Sequence, residues 1–498
     1  MNKSIPVTVN TPKYQLSRTA DTHFAHRRKR PLSAPISINL EITSGCHLKC
    51  RHCYNYWRED SNDISDAIPR EKIDHLVRDI KKSGVYHVIL SGGEPLIAFG
   101  TLEYALTELT AVGVSTSVNS TLHQLTEKKA ARLMKAGLEH VLVQLDSAIE
   151  ETNDFMMNRS GNLKRSIKGI KIAVAAGIRV SVNMVVSNMN QDDVYETARL
   201  CSELGVQKLF GTRLVPSVNA EDPKSMTHLY LGLQESENVI NELLRAKEDF
   251  NIQIGTLISY PLCALGDLSR YADFVGRGCP AQNGNRMVIN SNGDAHACTH
   301  EEVSYGNIFE EGIQEVFSKM RNWHDGSYLF EGCRDCIYID VCGSGCRMAS
   351  SAYSKAIDGK DPMWQGWADQ LGTPFRAELP EAVLIEVDNG GSFSVPDEVR
   401  FRQEDGFFTL NIRWANVMQV DTEVADFLLE RRSSNCTGFT LEEFKGSGVV
   451  DPRTVLLGLL YKGAVLPTDL LAADDLLSRP VVGASVDPYE LPSMFQGL

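Results

Sequence analysis

Two groups of cysteines could carry chemistry in this chain. Cys46, Cys50 and Cys53 stand as Cys-His-Leu-Lys-Cys-Arg-His-Cys, a C-x3-C-x2-C run. Three thiolates at that spacing can face one point from a loop. On a four-iron cluster they leave one iron open to a small chelating ligand; on zinc they make a three-cysteine site. Spacing alone leaves both open. The second group begins at Cys279, followed by Gly293 and Cys298 in C-x13-G-x4-C, and continues with Cys333, Cys336, Cys342 and Cys346 in C-x2-C-x5-C-x3-C. Those six cysteines could build zinc knuckles or iron–sulfur sites. Of the rest, Cys201 falls on the apolar face of a helical stretch and reads as a core thiol. Cys436, between Asn435 and Thr437, reads as an unligated loop cysteine.

The surrounding composition narrows the class. The 498 residues include 50 basic and 64 acidic side chains, a net charge of −14, which disfavours a general nucleic-acid binder. At 43% apolar and 23% charged, the chain has material for a sizeable core. The N-terminal stretch shows no apolar run before a cleavage site, and nothing approaches the ~18 consecutive apolar residues of a spanning helix. A cytoplasmic location without membrane attachment is expected. There, twelve clustered cysteines read as metal ligands or redox groups, not as disulfides.

The elements that must position these residues follow a clear period. Residues 1–35 form a polar arm ending in the basic run Arg27–Arg30. From residue 36, strand-like runs at 37–43, 87–92, 114–119, 140–146, 179–186 and 206–215 alternate with helical stretches at 70–84, 101–113, 126–137, 163–177 and 192–205; a further helix is read at 235–250. Such alternation with short Gly-rich connections predicts parallel βαβ units and an α/β fold. Six strands fit a complete or partial (β/α)6 TIM-type barrel over 36–250. Residues 251–370 are Gly- and Cys-rich with short elements. Residues 380–467 read as a small α+β module, with strands at 383–388 and 401–412 and a helix at 421–432, and 468–498 as a tail.

The first cysteine group, placed directly after the first strand, and Gly92-Gly93-Glu94-Pro95, placed directly after the second, together resemble the radical S-adenosylmethionine (SAM) superfamily over residues 36–245. The resemblance implies a 4Fe–4S cluster on Cys46, Cys50 and Cys53 that binds SAM at its open iron and cleaves it reductively to a 5′-deoxyadenosyl radical. Glycines at 92 and 93 let backbone carbonyls approach a ligand, while Glu94 supplies a negative partner or braces the loop. By the same resemblance Asn119, Gln144, Asp146 and Ser147, at the carboxyl ends of strands, and Arg159 belong near SAM, and the 212–217 turn passes its adenine. His47 and His52 read as loop residues. His52 stands where the family more often has an aromatic residue, and Asn119 stands in Ser-Val-Asn-Ser-Thr where it more often has Asn-Gly.

Behind such a barrel the second group resembles the SPASM extension, which holds two auxiliary 4Fe–4S clusters. The family pattern assigns Cys279, Cys298 and Cys346 to the first and Cys333, Cys336 and Cys342 to the second. Cys263, sixteen residues before Cys279, is the choice for a fourth ligand of the first. The family's seventh cysteine is missing after Lys360-Asp361-Pro362, so the second has Asp361 as its chosen fourth ligand, with Asp358, Cys436 or an open iron as alternatives. The C-terminal module is similar to PqqD-like recognition domains, small winged folds that bind a leader peptide as an added strand. Together these imply a peptide-maturing enzyme acting on a ribosomally synthesised precursor by cross-linking, epimerisation or backbone excision, served by an external one-electron donor of flavodoxin or ferredoxin type. A formylglycine-forming sulfatase maturase is the alternative within the superfamily, and a non-catalytic iron–sulfur carrier the alternative outside it.

Overall fold

The computed structural model describes residues 30–55, 66–216, 229–266, 270–271, 273–274, 278–336, 338–366, 379, 381–413, 416–433 and 438–469; most of the expected arm and tail, and Cys436, lie outside the described residues. Six strands form where alternation predicts them: β1 (Ser37–Glu41), β2 (His87–Ser91), β3 (Ser115–Ser120), β4 (His140–Gln144), β5 (Arg179–Val186) and β6 (Lys208–Arg213). They pair in parallel and in chain order. Two short strands extend the sheet, β7 (Gln253–Gly255) beyond β6 and β8 (Arg286–Ile289) beside β1, and β9 (Ala295–His296) turns back antiparallel on β8. The fold is therefore an α/β partial barrel, as expected, with one more parallel strand on each side than the sequence period reveals.

Both faces of this sheet are covered, which is why β1 and β2 are buried along their whole length. The helix Arg70–Ser83 shows the outer layer's logic: Ile73, Leu76, Val77 and Ile80 recur at helical spacing and face inward. Inside the barrel, Ile89 of β2, Leu142 of β4 and Phe210 of β6 form an apolar plug with Leu257. One side chain from each alternate strand is the layering that fills barrels of this type. The plug floors the space above it, where the strands' carboxyl ends open.

The cluster segment after β8 is built from short helices, and its Met320, Trp323, Cys346 and Met363 join the same apolar core as the barrel. The C-terminal region has a core of its own, centred on Phe393, Leu410, Leu428, Phe444 and Leu459. Here the structure corrects one expectation. Residues 383–388, read as a strand, belong to the helix Glu381–Asp388; Val383 and Val387, four residues apart, are the buried pair, and that spacing is helical. The small β10 (Ser392–Ser394) follows, then β11 (Arg400–Gln403), β12 (Phe407–Arg413) and β13 (Asn416–Asp421) form an antiparallel sheet ahead of the helices Thr422–Ser433, Leu441–Lys445 and Pro452–Lys462.

This sheet is fastened to the amino-terminal ends of the barrel strands. The Arg402 guanidinium donates to the carbonyls of Ala34 (2.8 Å), Pro35 (3.1 Å) and Gly84 (3.1 Å). Arg400 donates to those of Tyr86 (2.9 Å) and Gly113 (2.6 Å), and the Tyr86 hydroxyl donates to the Thr409 carbonyl at 2.9 Å. Ile36, Tyr86 and Val417 close the contact with an apolar cluster. No helix among the described residues is long and apolar enough to cross a membrane.

Candidate active site

At the opposite, carboxyl-terminal end of the strands lies a cavity of about 240 Å³. Cys46, Cys50 and Cys53 line it together with Gly92, Gly93 and Glu94, so the two motifs separated by some forty residues share one wall. Their contact is backbone on backbone. The Gly93 N–H donates to the Thr43 carbonyl and the Glu94 N–H to the Gly45 carbonyl, both at 2.8 Å. A Cβ on Gly93 would collide with the Gly45 and Ser44 carbonyls, and one on Gly92, at φ +139°, with that of Thr43. The glycines thus admit the chain that launches the cysteine loop, a tighter reason than the ligand approach read from sequence.

Glu94 is buried, and its carboxylate is a brace. It accepts from the Leu96 N–H (3.0 Å), the Ser120 hydroxyl (2.6 Å), and both the N–H (2.8 Å) and hydroxyl (2.6 Å) of Thr121. These bonds tie the loop after β2 to the end of β3. Pro95 starts the 3-10 turn Pro95–Ala98 and does not face the cavity.

Of the strand-end residues expected near SAM, Asn119 and Gln144 line the cavity. Asp146 stands behind it, fully buried, accepting from the Gln144 amide and from the Val185 N–H (3.1 Å), with His52 Nε2 at 3.5 Å. Burial raises its carboxyl above the ordinary range against the pull of His52. Ser147 and Arg159 are placed elsewhere. The Ser147 hydroxyl donates to Asp193 at 2.6 Å and accepts from the Ile149 N–H, a strand-end cap. Arg159 is exposed and donates to the His47 carbonyl at 2.9 Å, so it steadies the cysteine loop from outside.

Thr212 and Arg213 of the turn expected near the adenine line the cavity, and Asn183, Arg286 and His300 line it too and escape sequence reading. Thr212 donates to Asn183 Oδ1 (2.6 Å), and Asn183 donates to Gln144 Oε1 (3.0 Å), so a polar chain crosses β6, β5 and β4 and reaches His52 through Asp146. Asn183 sits mid-run in an apolar strand; its inward parity was the one available signal. Arg213 is fully buried and bidentate to Asp361 (3.1 and 2.8 Å), with a further bond to the Ser259 carbonyl at 2.6 Å.

That ion pair engages the carboxylate chosen as a ligand for the second auxiliary group. Besides Arg213, Asp361 accepts from the N–H groups of Cys346 (2.8 Å) and Met363 (2.9 Å). Its oxygens are occupied by the barrel and the loop. Within the set expected for the first auxiliary cluster, the charges of Cys279 and Cys346 weigh on Cys298. Cys263, chosen as the fourth ligand of that set, has its charge felt in the other group. It lies where its charge weighs on Cys333 and Cys342, because the short turn Leu262–Ala264 packs on Cys342, with the Leu262 N–H donating to Cys342 Sγ at 3.4 Å. Cys201 is a buried core thiol pushed up to about 12.

The eleven described cysteines are unbridged. Burial pushes the thiols of Cys342 and Cys346 up to about 11, so their anionic forms need a cation to become stable. Leu48 N–H donates to Cys46 Sγ, and Ala349 N–H to Cys346 Sγ. Among the described residues no three His, Cys, Asp or Glu side chains converge on one point closely enough for a single metal ion, whereas a four-iron cluster carries its thiolates on separate irons. Buried thiols that accept backbone N–H bonds suit the thiolate ligands of iron–sulfur clusters.

Comparison with known proteins agrees. Residues 40–201 match the radical SAM superfamily, and residues 279–337 match SPASM, an iron–sulfur cluster-binding domain. Over 357 residues the chain is 28% identical to the mycofactocin maturase MftC of Mycolicibacterium smegmatis, covering 68% of this chain and 85% of that one. Over 332 residues it is 27% identical to the AdoMet-dependent heme synthase of Methanosarcina barkeri, covering 64% and 93%. Among solved structures, Streptococcus suis SuiB bound to S-adenosylmethionine superposes with a TM-score of 0.55 at 20% identity, covering 70% of this chain and 81% of SuiB; SuiB bound to its precursor peptide SuiA gives 0.52, again at 20%, covering 72% and 82%.

Proposed function

We propose that this chain, which carries a radical SAM domain followed by a SPASM iron–sulfur domain, modifies a ribosomally synthesised precursor peptide by SAM-derived radical chemistry in the cytoplasm. The observation that carries the reading is the interlock of the Cys46–Cys53 loop with Gly92–Glu94 over one cavity at the strand ends. Cys46, Cys50 and Cys53 would hold the SAM-binding cluster. Bound there, cluster and SAM supply a carbon-centred radical able to take hydrogen from an unactivated carbon.

The chain's own residues do the rest. Glu94 holds the loop rigid, and Asn119 and Gln144 offer polar groups to the cosubstrate. The Ile89–Leu142–Phe210 plug keeps water from entering through the barrel floor. A peptide substrate is supported by the similarity to a maturase and by the order of the C-terminal module, three antiparallel strands followed by three helices, which suits leader capture. The electron donor would be a flavodoxin or ferredoxin.

The test is anaerobic reconstitution with dithionite and SAM. The protein should release 5′-deoxyadenosine, and a Cys46/Cys50/Cys53→Ala triple variant should release none. Equal cleavage by that variant would refute the site. A second substrate class comes from the heme synthase similarity: turnover of a heme precursor, with no change to any precursor peptide encoded beside the gene, would replace the peptide reading while leaving the radical site intact.

A further inference from the structure

The second auxiliary group lacks the ligand that its family pattern would place after residue 360, and the structure offers a replacement from an unexpected direction. We propose that Cys263 is the fourth thiolate of that cluster, joining Cys333, Cys336 and Cys342 in a closed four-cysteine site. The proposal rests on the reading that this domain binds iron–sulfur clusters and assigns one ligand within it.

Four observations place Cys263 there. Its turn, Leu262–Ala264, abuts Cys342 through the Leu262 N–H bond to Cys342 Sγ at 3.4 Å. Its own sulfur accepts the Gln365 N–H at 3.3 Å. Residue 365 belongs to the very segment that lacks a cysteine, so this segment contributes a donor to a sulfur in place of a sulfur. The neighbouring Trp364 bonds the Cys333 sulfur and packs edge-on against Phe330 at 5.3 Å between centroids, closing the same group from outside. Finally, of the two aspartates that follow the motif, Asp361 is held by Arg213 and two backbone N–H groups, and Asp358 is exposed.

The chemistry suits this assignment. Cys263 and Cys342 each accept an N–H bond, and such donors stabilise the negative charge of cluster-bound thiolates and tune the cluster's potential. Four thiols ligating one four-iron cluster leave no iron open, and each gives up its proton on binding. The first auxiliary group then has three cysteines, Cys279, Cys298 and Cys346.

The experiment uses the full-length chain in a Cys46/Cys50/Cys53→Ala background, so that only auxiliary clusters remain, reconstituted anaerobically with iron and sulfide. That parent should hold about eight irons. Cys263→Ala should lose iron or convert one cluster to a three-iron form, altering the same electron paramagnetic resonance signal that Cys342→Ala alters and not the one that Cys279→Ala alters. Cys263→Ser, nearly the same size, should keep four irons at the site with a shifted midpoint potential, and it decides the matter if the alanine variant does not fold. Unchanged iron, spectrum and potential in both variants would overturn the assignment, as would loss of the Cys279-dependent signal. A parent that binds no iron at all would instead refute the auxiliary-cluster reading itself.

Discussion

At the scale of single residues, the site depends on groups whose replacement has a computable direction. Gly93 has no room for a methyl group, since the Gly45 and Ser44 carbonyls occupy that space. Gly93→Ala should therefore push the cysteine loop away, dropping bound iron from about twelve to about eight per chain, the loss of one four-iron cluster, and abolishing SAM cleavage. Iron assay and 5′-deoxyadenosine release check both. Glu41, at the end of β1, is fully buried, and burial together with the nearby Asp66 charge pushes its carboxyl up to about 8 from 4.5. Below about pH 4.5 it is protonated whether the chain is folded or not. Between 4.5 and 8 the unfolded chain has released the proton while the folded chain keeps it, so stability falls as pH rises through this window and levels above it. Glu41→Gln stays neutral throughout. Relative to that variant, the wild type should lose up to about 5 kcal/mol across the window, read as a converging or crossing pair of melting-temperature profiles. Two parallel profiles would show that Glu41 is charged inside the fold.

At the scale of elements, the C-terminal sheet is held to the barrel by a small number of arginines. Arg402 serves three carbonyls and pairs with Glu404 at 2.6 Å. Arg402→Ala leaves those buried acceptors and the Glu404 carboxylate without it, a cost of roughly 2–4 kcal/mol by the usual penalty for unsatisfied and charged groups. Limited proteolysis should then cleave near residues 366–400 faster than in the wild type, while basal SAM cleavage, on the far end of the barrel, is unchanged. Elements also set what could be read from sequence. The six barrel strands were legible because each is long enough to show its pattern and is bounded by a helix with its own period. β7 and β8, at three and four residues, carry too little pattern amid glycines and cysteines. Residues 383–388 misled because a short apolar run with two β-branched valines has no period of its own; the packing of Val383 and Val387 on the module core chose the helix. The cysteine motifs were legible as motifs, but which thiols meet is decided in space. The turn at 262–264 folds back on Cys342, and chain order carries no trace of that.

At the scale of the whole molecule, a buried ion pair adds to the shared core that joins barrel and cluster segment. Arg213 reaches from the end of β6 to Asp361, which also holds the Cys346 N–H. Asp361→Asn leaves the guanidinium charge buried without its partner, and a cost of about 3–5 kcal/mol is expected. The thermal midpoint should fall clearly, and the spectrum of the cluster on Cys279, Cys298 and Cys346 should change, since its backbone anchor is the same carboxylate. The fastening of the C-terminal sheet beneath the barrel has a consequence for substrate architecture. If that sheet grips a leader, the residue to be modified must still enter at the opposite mouth. Barrel strands of five residues span about 16 Å, and with the loops at both ends the route around the outside is on the order of 30 Å, or about ten residues fully extended. The molecule would act as a ruler: precursors with a spacer well under ten residues should bind as tightly as longer ones yet go unmodified, and lengthening the spacer alone should restore turnover.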